Sequence, residues 1–306
     1  MTKNWTVDNI KDLSGKIIVI TGANSGIGLE AARELVRKGA EVILASRNPD
    51  KAQKALAELG EDFPDGKLDY IPLDLASLDS VRNFADQFKA RYDRLDVLLN
   101  NAGIMMVPEG KTEDGFESQL GTNHLGHFAL TGLLIDLLTG TPGSRVVNIS
   151  SNAHYAGEMD FSNLFFEDGG YTPMGAYSRS KLANLLFTYE LQRRLEVSSA
   201  DTLVLAAHPG ISTTALADHF VPKSLTWIVR GLMSLFFQSA VMGALPGLRA
   251  AADPEALTGQ YYGPAGKGER SGYPVLVSSN PASHDLEDAK KLWEISERLT
   301  GVEYLS

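Results

Sequence analysis

Tyr177 stands four residues ahead of Lys181 in the stretch GAYSRSKLANLL (175–186). Leu182, Leu185, Leu186, Tyr189, Leu191 and Leu195 recur at helical spacing, which puts positions 177 and 181 one turn apart on one helix face, close enough for their side chains to meet. A phenol ionises near about pH 10. A neighbouring ammonium favours its anion, so the pair can act as a proton donor and acceptor nearer neutrality. A surface tyrosine beside a solvated lysine has the same spacing, so the rest of the chain must decide between the two readings.

A second chemical signal lies near the start. TGANSGIG places Gly22, Gly26 and Gly28 after an apolar run and directly before a helical pattern, with Asn24, Ser25 and Ile27 in the same turn. Glycines let backbone and pyrophosphate approach closely, and the free N–H groups of a helix start attract phosphate, so the turn predicts a dinucleotide site. The next apolar run ends LASRN, where an acidic residue would meet a ribose 2′-hydroxyl. Ser46 and Arg47 stand there instead. A guanidinium suits a 2′-phosphate, so NADP(H) is favoured over NAD(H). Asp74 and Leu75, in LDLAS, are expected at the adenine, although an Asp there equally caps a helix starting near Ser77. Asn101, Ala102 and Gly103, in NNAG, close a later apolar run at the same edge.

These residues need a scaffold. The runs KIIVIT (16–21), EVILAS (41–46), LDYIPL (68–73), DVLLNN (96–101), RVVNIS (145–150) and TLVLAA (202–207) read as buried strands. They alternate with helical patterns, which predicts an α/β fold: a Rossmann-type, doubly wound parallel sheet of about seven strands with helices on both faces. A shorter strand near 260–262 and a final helix over 285–299 complete it. With no linker or repeat in its 306 residues, the chain reads as a single domain.

The glycine turn, NNAG, the serine pair Ser150 and Ser151 after VVNI, and Tyr177 with Lys181 together resemble the short-chain dehydrogenase/reductase superfamily over nearly the whole chain. NAGIM, TNHLGHFALTGLL, HPGISTTAL and LWEISERLTG look like its branch of retinol dehydrogenases and the WW-domain oxidoreductase. The resemblance implies that Tyr177 is the general acid/base. Lys181 would lower its pKa and hold the nicotinamide ribose, Ser151 would orient the substrate oxygen, and Asn123 would support a water relay to the lysine. It also implies that Pro209 and Gly210 approach the nicotinamide and that Thr214 contacts the carboxamide. The expected activity is hydride transfer between NADP(H) and a small lipophilic carbonyl or alcohol. Protochlorophyllide-type reduction of a carbon–carbon double bond is an alternative, weakened by the absence of cysteine, and a cofactor-binding regulatory protein is another.

Tyr177 follows Ser151 by 26 positions, about twice the family's compact spacing. The insert (152–176) carries Phe161, Leu164, Phe165 and Phe166, which would either wall an apolar pocket or pack the loop down. From 231 to 248 no residue is charged. Residues 211–248 are read as a lid or, equally, as a plain core helix, with surface membrane contact through 218–248 as the second reading. The start, MTKNWTVDNIKD, has neither the apolar core of a signal peptide nor the hydrophobic anchor usual in membrane-bound retinol dehydrogenases, so a cytoplasmic protein is expected and retinol itself is not implied. A formal net charge of -10 argues against nucleic acid. His124 and His127 lack a third ligand nearby, so no metal is expected. Family members often pair through helices equivalent to 113–138 and 177–195, which leaves a monomer or a homodimer.

Overall fold

The computed structural model describes residues 4–210 and 238–305. Its sheet has the strands β1 (Ile17–Thr21), β2 (Glu41–Ser46), β3 (Leu68–Pro72), β4 (Val97–Asn100), β5 (Arg145–Ile149), β6 (Leu203–Ala207), β7 (Tyr261–Pro264) and β8 (Pro274–Leu276), in the order β3-β2-β1-β4-β5-β6-β7-β8. All neighbours run parallel except β7 and β8. The eighth strand adds to the seven anticipated. It is a three-residue antiparallel edge with Val275 and Leu276 exposed, too short to leave a pattern in the sequence.

Alternation along β1 sends Ile18 and Ile20 into one core and Val19 into the other. Both faces are therefore apolar, as a covered parallel strand requires. The first core lies under α1 (Gly26–Arg37) and α2 (Pro49–Asp62). The second lies under α3 (Leu78–Arg91), followed by a broken central helix: α4 (Ser118–Leu120), a π-helical turn (Gly121–Leu125), α5 (Gly126–Leu133) and α6 (Ile135–Thr139). The 25-residue α7 (Pro173–Val197) completes that layer. It is buried almost continuously from Ala176 to Leu191 because the sheet, the turn at 152–156 and α9 (Leu286–Thr300) pack on different sides of it. Trp293 of α9 packs on Phe128 and Phe187, and the Tyr304 hydroxyl donates to the Phe128 carbonyl (3.2 Å).

The charge-free stretch divides. Residues 240–248 belong to α8 (Ala240–Ala252), whose Ala244, Leu245 and Leu248 are buried in the first core against α1 and the sheet. For these residues the lid and membrane-contact readings are corrected: small side chains, with Gly247 set close to Ile149, let the helix seat directly on the strands. Residues 211–237, including Thr214, lie outside the described residues. Among the described residues no helix is long and apolar enough to cross a membrane.

His124, His127 and His208 are buried, and lost hydration, the largest cause, holds them down to about 3, about 4 and about 3. The unfolded chain takes up these protons near about pH 6.5, whereas the folded protein refuses them until far lower pH. Their contribution is therefore complete above about pH 6.5 and is lost as pH falls toward 4, by up to about 4 kcal/mol for the three together at about pH 5.5. Urea unfolding at about pH 7 and pH 5.5 should show that drop, reduced by about a third in His124→Gln; equal stabilities at the two pH values would contradict the burial.

Candidate active site

The order of winding reverses between β1 and β4, which opens a crevice at the carboxyl ends of the strands. Gly22 follows β1 at φ +69° and Gly26 opens α1 at φ +56°, both in the left-handed region that glycine tolerates. Gly28 leaves no room for anything larger, since a Cβ there would fall 2.5 Å from the Gly22 carbonyl oxygen and 2.6 Å from Asn101 Nδ2. Ser25 precedes α1 without a side-chain hydrogen bond to it, so the first turn keeps N–H groups for an anion.

From this turn a cleft of about 450 Å3 runs along Ser46, Arg47, Asn48, Lys51, Asp74 and Leu75. The Ser46 Oγ is buried with no partner among the described residues. Arg47 is 75% exposed and its Nη1 lies 3.7 Å from Asp74 Oδ2, an exposed contact of little energetic weight. Asp74 Oδ1 accepts from Ala76 N (3.0 Å), whereas Ser77 caps α3 by accepting from Ser80 N (3.4 Å). The helix-capping alternative for Asp74 thus passes to Ser77, and its second oxygen stays toward the cleft.

In the other direction a cleft of about 400 Å3 is lined by Gly103, Ile104, Met105, Ser150, Tyr177, Lys181 and Pro209. Tyr177 and Lys181 lie one turn apart on α7, with the Lys181 Nζ 5.6 Å from the centre of the phenol ring. Lys181 is only 4% exposed, donates to the Ile149 carbonyl (3.1 Å), and is pushed down to about 8 by lost hydration. Burial also raises Tyr177, and the opposing hydrogen bond comes from Ser151. Lost hydration thus opposes the charged form of both groups, the phenolate and the ammonium alike.

The two serines separate in role. Ser150 Oγ donates to the Lys181 carbonyl (2.9 Å) and braces the helix, whereas Ser151 begins a short 3-10 turn, accepts from Ala153 N (3.2 Å) and keeps its hydroxyl for Tyr177. Asn123 sits in the π-helical turn with its side chain engaged. Its Oδ1 accepts from Ile104 N (2.8 Å), and its Nδ2 reaches the Ile104 carbonyl (2.9 Å) and Ser180 Oγ (2.9 Å). It fixes the strand-end loop next to Lys181 through Ile104.

Sequence reading missed Thr21. Its Oγ1 accepts from the N–H groups of Asn101 (2.9 Å) and Ala102 (2.9 Å) and faces His127 Nε2 (2.9 Å), while His127 Nδ1 donates to the Asn123 carbonyl (3.0 Å). A neutral His127 thus ties the central helix at Asn123 to the end of β1 and, through Thr21, to the loop after β4. The only signal was its i+4 spacing from Asn123. His124 instead bonds Ser296 on α9 (2.9 Å).

The aromatic residues of the insert line neither cleft. Arg179 of α7 donates to the carbonyls of Glu158 (3.0 Å), Asn163 (2.7 Å) and Leu164 (2.8 Å), pinning the loop, and Leu164, Phe161 and Phe165 pack with Leu182, Leu186 and Leu292. The pocket-wall alternative gives way to packing against α7 and α9.

The family model described as short chain dehydrogenase matches residues 16–224. Retinol dehydrogenase 14 of Mus musculus is 43% identical over 303 residues, covering 95% of this chain and 87% of the relative. Retinol dehydrogenase 13 of Homo sapiens is 40% identical, covering 95% and 86%. An uncharacterised protein of Mycobacterium paratuberculosis superposes with a TM-score of 0.83 at 42% identity, over 99% of both chains. A short chain dehydrogenase of Shigella flexneri complexed with NADP superposes at 0.64 and 24% identity over 82% of this chain and 98% of that one, a likeness of fold.

Proposed function

We propose, since the chain belongs to the short-chain dehydrogenase family, that it is an NADP(H)-dependent oxidoreductase interconverting a small lipophilic carbonyl compound and its alcohol. The observation that carries this reading is the placement of Tyr177 and Lys181, one turn apart, in a cleft that the glycine turn also lines. The residues fit a dinucleotide: the buried Ser46 hydroxyl has no partner among the described residues, and the start of α1 carries no side-chain cap. Gly22, Ser25, Gly26 and Gly28 would hold the pyrophosphate, Ser46 and Arg47 the 2′-phosphate, Asp74 and Leu75 the adenine, and Asn101 to Gly103 with Lys181 the nicotinamide ribose. When bound, the nicotinamide supplies or takes the hydride.

Tyr177 would give its proton to the substrate oxygen as a carbonyl becomes an alcohol, and take it back in reverse. Ser151 donates a hydrogen bond to the same oxygen as charge gathers there. A lipophilic substrate is supported by the retinol dehydrogenase relatives. The test is NADPH oxidation followed at 340 nm against a panel of aliphatic, aromatic and isoprenoid aldehydes and ketones. NADPH-dependent turnover of at least one class supports the reading, and tight NADPH binding without turnover of any would favour a cofactor-binding regulatory protein.

Arg47 carries the cofactor preference. A carboxylate in its place would repel the 2′-phosphate and accept a ribose hydroxyl instead. In titrations, Arg47→Asp should lose at least about tenfold in NADPH affinity, with NADH affinity unchanged or improved. Equal losses for the two cofactors would refute the assignment.

A further inference from the structure

The loop between β7 and β8 (265–273) is far longer than the two residues that suffice to join an antiparallel pair. It folds back onto the turn that follows β6. His208, fully buried at the end of β6, places its Nε2 3.0 Å from Glu269 Oε2 and its Nδ1 3.2 Å from the amide of Gly210. An amide can only donate, so Nδ1 carries no proton, and Nε2–H donates to the Glu269 carboxylate. Gly263 leaves the space for this ring, since a Cβ there would lie 2.1 Å from Nε2.

The same loop grips the turn twice more. Gly210, at φ +69°, lies so close to the Arg270 carbonyl oxygen that a Cβ would come within 2.5 Å of it. Gln238 donates through Nε2 to the Pro209 carbonyl and accepts through Oε1 from Gly272 N (3.1 Å). On its far side the loop meets Asn152, the neighbour of Ser151, whose Nδ2 donates to the Gly268 carbonyl (3.2 Å). One loop therefore ties the serine wall of the cleft to the Pro209–Gly210 wall. Glu269 holds its place with a left-handed backbone, φ 55°, a conformation that a non-glycine residue keeps only where its surroundings impose it.

We propose that Glu269 is a positioning residue for hydride transfer, setting the Pro209–Gly210 turn through the His208 tautomer and, through the loop backbone, its distance from Ser151. This rests on the reading above that the turn faces the nicotinamide. Glu269 itself touches neither substrate nor cofactor.

Glu269→Gly separates positioning from stability, because glycine relieves the left-handed backbone while removing the carboxylate. We expect a Tm close to that of the wild type, NADPH affinity within about threefold, and kcat lower by at least about tenfold, as for a small misplacement of reacting groups. Two further readouts move with it: a larger primary isotope effect with deuterated NADPH, and faster hydrogen exchange at the Gly210 amide in cofactor-free protein, whose partner is no longer fixed. Glu269→Gln, which still accepts from His208, should restore most of kcat and the Gly210 protection. A Glu269→Gly protein with wild-type kcat and isotope effect overturns the proposal. A wild-type protein that binds NADPH but turns over no carbonyl overturns the functional reading on which it stands. In that event unchanged Gly210 exchange in Glu269→Gly would also remove the structural half.

Discussion

Tyr177→Phe should lower turnover by about 10²- to 10⁴-fold, the range typical for losing a positioned acid, and leave NADPH affinity within about threefold. The substitution removes one oxygen and nothing else. The ring is 9% exposed and keeps its packing, and α7 keeps its residues against the sheet. Binding should survive because the glycine turn, Ser46 and Arg47 lie on other elements, and Lys181 still reaches the Ile149 carbonyl. What disappears is the proton and the group that Ser151 contacts. Initial rates at saturating NADPH, with affinity measured separately, test this directly. Turnover within a few-fold of wild type would mean that another group delivers the proton.

The largest effect on stability is expected at Trp293. Its side chain is 2% exposed, sits edge-on to Phe128 at 5.0 Å and beside Tyr304 at 4.8 Å, and carries the Arg194 guanidinium 4.3 Å above its face. Trp293→Ala removes a large buried side chain where three helices and the C-terminal tail meet. A cost of about 3–5 kcal/mol is expected, the range for Trp truncation in a close-packed core. Chemical denaturation should read that loss, and Trp293→Phe should recover part of it. A loss under about 1 kcal/mol would mean that α9 is loosely seated.

Much of the sheet was legible in the sequence because strands covered on both faces must be apolar throughout, and such runs stand out between helical patterns. The glycine turn and the Tyr177–Lys181 pair were legible because their chemistry depends on local spacing. What escaped depends on contacts that spacing does not encode. Thr21 meets His127 across 106 residues, and His208 meets Glu269 across 61. The apolar run at 240–248 was left open between a lid and a core helix because a helix of small residues seated on a sheet has the composition of a lid; only its packing partners distinguish them. β8 escaped for the opposite reason, being short, exposed and opened by a proline.

The seat of α9 across α7 has a consequence for how the protein answers to dilution. A helix face that is sheltered by a second subunit depends on mass action, and its protection fades as concentration falls. Here the shelter is the chain's own C-terminal helix, tethered so that its local concentration at that face never changes. The burial that α9 gives the helix carrying Tyr177 and Lys181 is therefore the same at nanomolar concentration as in a crowded solution.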